Sequence, residues 1–116
     1  MALDLFAGIH VADFAAALPW YRNLLGEPAM FPHDTEAVWQ LAEHRLLYIV
    51  QRPERAGHSV VTVMVGDLDE RSAEIAGRGL TPAKEEDYGG GVRKVTYVDP
   101  DGNEVAFGGA PAEQPR

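Results

Sequence analysis

The hydrophobic and polar positions of the first half predict a strand followed by a helix. Residues 5–11, LFAGIHV, are apolar enough for a short strand. Asp13 then has the side chain of a helix N-cap, the apolar spacing over residues 14–25 has a helical period, and Gly26 is a typical helix stop. The first half therefore begins with a βα unit.

The same order of elements returns in the second half, with 54 residues between Asp13 and Asp67. Residues 60–65, VVTVMV, predict a strand, and Asp67 with Glu70 three residues later predicts a capping box at the start of a second helix. After each helix the chain predicts three further strands: roughly 28–31, 36–41 and 46–51 in the first half, and 81–86, 92–98 and 104–108 in the second. Two βαβββ modules follow from this repeat.

Two such modules predict an α+β fold. We expect a single domain over residues 1–108, with module 1 at about 5–52, a linker at 53–58, module 2 at about 59–108 and a flexible tail at 109–116. A module of about 50 residues is too small to bury both faces of its sheet, so the modules are expected to pack on each other or on a second chain. A homodimer is therefore predicted.

Composition and charge narrow the classes of function. The net charge of -8 repels phosphate backbones and the ten Lys and Arg are scattered, so no nucleic-acid partner is expected. The chain has no apolar run of about 18 residues and no signal-like start, which predicts no membrane partner and a cytoplasmic location. Because there is no cysteine, disulfides, thiolate metal sites and cysteine nucleophiles are excluded, whereas histidine and carboxylate sites stay open.

Three stretches carry a resemblance to a known family: VADF at residues 11–14, PWYRNLLG at 19–26 and DPDGN at 99–103. Together they resemble the vicinal oxygen chelate superfamily, the group of glyoxalase I, extradiol dioxygenases, fosfomycin resistance enzymes and bleomycin resistance proteins. The resemblance covers about residues 5–108. It implies that the two modules form a curved mixed sheet around a groove, as in glyoxalase and bleomycin resistance proteins.

In enzymes of this superfamily, four strands direct His, Gln or Glu side chains into the groove, where they hold one divalent metal. The resemblance places the equivalent positions at Phe6, Tyr48, Val60 and Ala106. Phe, Val and Ala have no lone pair to donate, and a neutral Tyr phenol is a poor ligand. The resemblance therefore implies a member that lacks the metal ligands, and we expect no metal and no cofactor.

Strand alternation puts further side chains on the side of the groove. If position 6 faces it, then Gly8 and His10 do too, whereas Ala7 and Ile9 pack under the helices. With a neighbouring strand and a rim loop included, the predicted ligand-binding residues are Phe6, His10, Trp39, Tyr48, Val60, Met64, Tyr88 and Ala106. Such a lining suits an aromatic or amphipathic ligand, and the acidic surface would attract a cationic one.

Three functions fit these observations. The first is metal-independent binding of a small organic compound, cationic or aromatic, resembling the drug-sequestering bleomycin resistance-type proteins. The second is a metal-free isomerase, lyase or cyclase that acts on a natural product, with His10 and Glu104 as acid and base. The third is a metal-dependent glyoxalase or dioxygenase with a rearranged site such as His10, His58 and Glu104. The sequence favours binding over catalysis.

Overall fold

The computed structural model describes residues 3–109, which form two α-helices, eight β-strands and one 3₁₀ turn. Module 1 contains β1 (Leu5–Val11), α1 (Phe14–Leu25), β2 (Met30–His33), β3 (Glu36–Ala42) and β4 (Arg45–Gln51). After the 3₁₀ turn at Pro53–Arg55, module 2 contains β5 (Val60–Met64), α2 (Leu68–Gly77), β6 (Lys84–Asp87), β7 (Arg93–Val98) and β8 (Glu104–Gly109). The α+β fold and both βαβββ modules are confirmed. β8 includes Gly109, and the rest of the predicted tail lies outside the described residues.

Each module forms its own four-stranded sheet, in the orders β1-β4-β3-β2 and β5-β8-β7-β6. The first strand of each module pairs in parallel with the last, and the other neighbours are antiparallel. The strands β1 and β5 are therefore edges of their own sheets within the described chain. Neither helix of residues 3–109 has the length and hydropathy that a bilayer-crossing helix needs.

The helix α1 begins and ends where the sequence predicts. The Asp13 side chain accepts a hydrogen bond from the Ala16 amide at 3.3 Å, and the chain leaves the helix at Gly26 with a φ of 88°. Its buried side chains recur every three or four residues and pack on the sheet: Phe14, Ala17, Tyr21 and Leu24. Local capping signals thus fix both ends of this helix.

The capping box predicted for the helix α2 is wrong. Asp67 has a φ of -128° and a ψ of 43°, and its side chain makes no capping hydrogen bond. Its carboxylate instead faces the Nε of Arg71, one turn into the helix, at 3.4 Å. The charged partner four residues later competes with the backbone amides for the Asp67 oxygens.

The two modules share one hydrophobic core, which contains buried side chains from both helices and both sheets. They are joined at one end by the turn Asp99–Asn103. The buried carboxylate of Asp99 accepts hydrogen bonds from the Tyr21 hydroxyl at 2.8 Å and from the Asn103 side-chain amide at 2.9 Å. Its other oxygen accepts hydrogen bonds from the backbone amides of Asp101 and Asn103, both at 2.9 Å. These two bonds fix the conformation of the turn.

Asn103 adds contacts to β1 of the first module and to the start of β5. Its side chain is fully buried; the amide nitrogen donates to the carbonyl of His10 at 2.8 Å, and the amide oxygen accepts the Ser59 backbone N–H at 2.9 Å. The Asp101 carboxylate accepts a hydrogen bond from the Ala12 backbone amide at 2.9 Å. Gly57 passes so close that a Cβ there would stand 2.5 Å from the Asp101 carbonyl, at a φ of 91°. This end of the interface is polar, buried and closely fitted.

Burial also sets the proton affinity of Tyr21. Desolvation raises the pKa of its phenol far above the ordinary tyrosine value, and the negative charge of Asp99 raises it further. The neutral hydroxyl therefore remains a hydrogen-bond donor to Asp99 wherever the protein is folded at ordinary pH.

Candidate functional site

In module 1, the strand register puts Phe6, Gly8 and His10 on the same face as Tyr48, opposite the face that packs on α1. The Tyr48 ring lies directly over Gly8, where an added Cβ would be 2.5 Å from its Cζ and hydroxyl oxygen. Phe6 is 54% exposed, and its ring centroid lies 6.3 Å from that of Tyr48, with the planes tilted by 59°. This face presents an aromatic pair, with Phe6 exposed and Tyr48 half-buried, that only a glycine at position 8 permits.

In module 2, the corresponding face carries Val60, Met64, Glu104 and Ala106. Val60 and Met64 are 69% and 68% exposed, whereas Ala106 is buried. The Met64 sulfur lies along Gly108, 2.9 Å from where a Cβ would stand. We call this surface and its counterpart around Phe6 the apolar sheet faces.

The divalent metal implied by the resemblance does not fit the residues present. The four positions predicted for its ligands lie on the apolar sheet faces and hold Phe6, Tyr48, Val60 and Ala106. Three of them have no donor atom. Across residues 3–109, no group of three or more His, Asp or Glu side chains is placed to hold a metal ion, the rearranged set around His10 included.

His10 and Glu104 come to the same end of the molecule. The His10 carbonyl accepts the Asn103 amide, and Glu104 is the next residue in the chain. His10 is half-buried and Glu104 is exposed. Within the described range no hydrogen bond links their side chains, so their role as an acid and base pair stays a prediction.

The placement of Trp39 in the groove is wrong. On β3, Trp39 pairs with Leu47 and therefore shares the helix-facing side of the sheet. It is 2% exposed, and its indole N–H donates to the Gly26 carbonyl at 2.8 Å. Its tilted contact with Tyr21, at 6.1 Å between ring centroids, makes it a core residue.

Tyr88 lies far from the other predicted ligand-binding residues of module 2. It is exposed and follows β6, which is three strands away from β5 in the sheet. At the usual spacing between strands that separation is roughly 14 Å. Within one chain, Tyr88 does not join the surface around Val60 and Met64.

A cavity of about 590 Å³ opens between the modules, at the end opposite the Asp99–Asn103 turn. It lies between the start of β1, the end of β5 and the hairpin that joins β3 to β4. Its lining is mainly aliphatic: Leu5, Ala7, Leu41, Ala42, Arg45, Leu46, Val61, Thr62, Val63, Met64, Val65, Gly66, Asp67, Arg71 and Phe107. We call it the inter-module cavity. The sequence did not predict it, because strand alternation assigned lining residues such as Ala7 to packing under the helices.

Arg71 provides the most constrained charge in this lining. Its guanidinium carbon lies 5.5 Å from the ring centroid of Phe107, which is a cation–π distance. Its Nε faces Asp67 at 3.4 Å, a long contact that engages one of the five N–H donors of the guanidinium group. Arg45, on the opposite wall, is exposed.

Comparison with solved structures decides the family. The chain is similar to the glyoxalase/bleomycin resistance protein from Catenulispora acidiphila DSM 44928, with 61% sequence identity, a TM-score of 0.92, and coverage of 95% of this chain and 100% of that chain. This chain belongs to the glyoxalase/bleomycin resistance protein family of the vicinal oxygen chelate superfamily. The sequence resemblance to that superfamily is thereby confirmed.

More distant members of this fold differ in their described activities. A bleomycin-binding protein complexed with bleomycin has 18% identity and a TM-score of 0.73, covering 93% of this chain and 98% of that chain. Lactoylglutathione lyase from Agrobacterium tumefaciens has 16% identity and a TM-score of 0.71, covering 94% of both chains. At these identities the likeness shows the fold alone. No protein-family model matches the chain, and neither does any curated protein.

Proposed function

We propose that this protein binds a small organic compound, aromatic or cationic, on its apolar sheet faces and without a metal. The observation that carries this proposal is the occupation of the four ligand positions by Phe6, Tyr48, Val60 and Ala106. By the resemblance, these positions correspond to those from which the superfamily's enzymes hold their metal, and here the side chains offer apolar contact in place of coordination. The similar bleomycin-binding protein supports small-molecule binding by this fold.

The chemistry of the ligand follows from the aromatic pair and the charge. The exposed ring of Phe6 and the half-buried ring of Tyr48 would stack on planar groups, and the electron-rich face of a ring attracts a cation. The net charge of -8 would also increase the rate of association of a cationic compound at low salt. Sequestration of such a compound needs affinity and no chemical step.

We also propose that two copies of the chain complete the site. In one chain, large apolar side chains of these faces are more than half exposed, among them Phe6, Val60 and Met64. A second copy that covers them would bury apolar surface and bring the two faces together. Sedimentation equilibrium should give twice the chain mass; a monomer at micromolar concentration would contradict this assembly. The cytoplasmic location stays a prediction.

The binding proposal is tested by calorimetry with bleomycin and a panel of aromatic cations and their neutral analogues. The variant Phe6→Ala should weaken binding by roughly tenfold or more, because it removes an exposed ring from the site. Phe31→Ala is the matched control, since Phe31 is 51% exposed on β2 and lies outside the proposed site. Equal losses in both variants, or no binding across the panel, would contradict the proposal.

A metal-free enzyme is the second candidate, favoured by the common position of His10 and Glu104 beside the Asp99–Asn103 turn. Bound compounds should then be converted, as seen by mass spectrometry after incubation. His10→Ala and Glu104→Gln would abolish conversion while retaining binding. A compound recovered unchanged supports sequestration, and stoichiometric divalent metal in elemental analysis would revive the metal-dependent alternative.

A further inference from the structure

We propose that the inter-module cavity is a second binding site, for an organic anion with an aliphatic body such as a medium-chain carboxylate. This site meets the apolar sheet faces at Met64 but lies mainly on the other side of β5. The strand β5 alternates between them: Val61, Val63 and Val65 line the cavity, whereas Val60 lies on the sheet face.

Size and lining support an apolar ligand body. A volume of about 590 Å³ lies within the range of small-molecule sites. The aliphatic side chains of Val61, Val63 and Val65 are only partly buried, although they point toward the side of the sheet that carries the core. An alkyl chain placed between them and Ala7 would remove this surface from water.

The charges of the lining select the head group. It contains two guanidinium groups, from Arg45 and Arg71, and one carboxylate, from Asp67. The lining is therefore positive in a protein whose net charge is -8. Since Phe107 and Asp67 hold Arg71 in place, its remaining N–H groups would form charge-assisted hydrogen bonds to a carboxylate with little ordering.

Calorimetric titration of the full chain with octanoate and decanoate tests the size and charge requirements, with decyltrimethylammonium as the cationic probe. Decanoate should bind once per chain and more tightly than octanoate, by about fourfold for each added methylene. The cation of the same chain length should bind roughly tenfold or more weakly. Failure of decanoate to bind, or equal affinity for the cation in Phe6→Ala, which weakens the sheet-face site, would overturn the proposal.

Three variants locate the site. Val63→Phe fills the cavity and should weaken decanoate binding by about tenfold or more, whereas Val60→Phe, on the same strand but the opposite face, should leave it unchanged. Arg71→Leu should remove the preference for the anion over the cation. If Val63→Phe does not fold, as judged by near-ultraviolet circular dichroism, Ala7→Leu fills the cavity from the other wall.

The outcomes separate this site from the apolar sheet faces and from a protein interface. Unchanged decanoate binding in a folded cavity-filling variant would overturn the proposal, as would loss of binding in Val60→Phe alone. Conversion of a dimer into a monomer by Val63→Phe, measured by sedimentation, would instead identify a second copy as the occupant of the cavity. Because Phe6→Ala reports on the sheet faces, the two proposals fail independently.

Discussion

The two ends of the interface between the modules are built from opposite kinds of contact. At one end, the Asp99–Asn103 turn, which leads into β8, contacts β1 and α1 through hydrogen bonds between 2.8 and 2.9 Å long, and those of Asp99 with Tyr21 and Asn103 are buried. At the other end, aliphatic side chains of β1 and β5 face each other across the inter-module cavity. One end therefore fixes the relation of the modules, and the other leaves apolar surface available.

The DPDGN motif and the inter-module cavity therefore have different roles: the motif holds the two modules together, and the cavity leaves apolar surface available. The DPDGN stretch is conspicuous in the sequence, yet its carboxylate and amide groups act on the protein itself. Buried polar groups in such a cluster tolerate little change, because removing one leaves its partners without hydrogen bonds. The cavity has no motif, and its partly exposed valines tolerate more variation. The following substitutions test this contrast in order of expected effect.

Asn103→Ala should cause the largest loss of stability, about 3–5 kcal/mol, because it removes the three hydrogen bonds of a fully buried side chain, including those to the Ser59 amide and the His10 carbonyl. Urea unfolding at neutral pH measures the change. Asn23→Ala is the matched control: it is only partly buried, and its recorded contact with Arg78 uses the backbone carbonyl. A loss below about 1 kcal/mol for Asn103→Ala would show that the turn does not hold the modules together.

Tyr21→Phe should cost about 2 kcal/mol near neutral pH, since it removes the hydrogen bond to the Asp99 carboxylate. Because burial raises the folded-state pKa of Tyr21 above the unfolded value, the unfolded state loses its proton first as the pH rises. The contribution of Tyr21 to the free energy of unfolding is therefore fully present below the ordinary tyrosine pKa. Above that pKa it falls by about 1.4 kcal/mol per pH unit.

Urea unfolding at pH 8 and pH 11 checks the pH dependence. Tyr21→Phe should flatten the fall above pH 10 without abolishing it, because burial also raises the pKa of Tyr97. An identical pH dependence in the variant and the wild type would mean that Tyr21 is not held neutral by its surroundings.

Val61→Ala at the open end should have the smallest effect, under about 1 kcal/mol, because part of the side chain already faces the cavity. The control is Val105→Ala, on the paired strand and the same face but fully buried, which should cost about 2–3 kcal/mol. Urea unfolding compares the two. Equal losses would mean that the cavity end is packed as closely as the core.

The sequence predicts local structure well where the deciding contacts are local. The helix α1 has the predicted bounds because Asp13 and Gly26 act on neighbouring backbone groups. The strand β2 was predicted at 28–31 and lies at Met30–His33, since its position depends on pairing with β3. A cap can also lose to a nearby competitor, as Asp67 does to Arg71.

The sequence predicts only part of the candidate site, because some of its side chains are positioned by contacts between distant parts of the chain. Alternation along β1 and β5 gives the face of Phe6 and of Val60, because neighbouring residues on a strand point to opposite sides. The face of Trp39 depends on its pairing with Leu47, which no local pattern specifies. The inter-module cavity depends on the angle between two sheets, and its wall residues Ala7 and Val63 are far apart in the chain.

The hydrogen bond from Asn103 to the His10 carbonyl joins residues 93 positions apart, and the bond from Tyr21 to Asp99 joins residues 78 apart. Such contacts raise the contact order of the fold and delay its completion until both modules are present. Module 1 emerges first during synthesis but receives these partners last. We therefore expect folding to be completed only after most of the chain has been made, and the two modules to unfold as one cooperative unit.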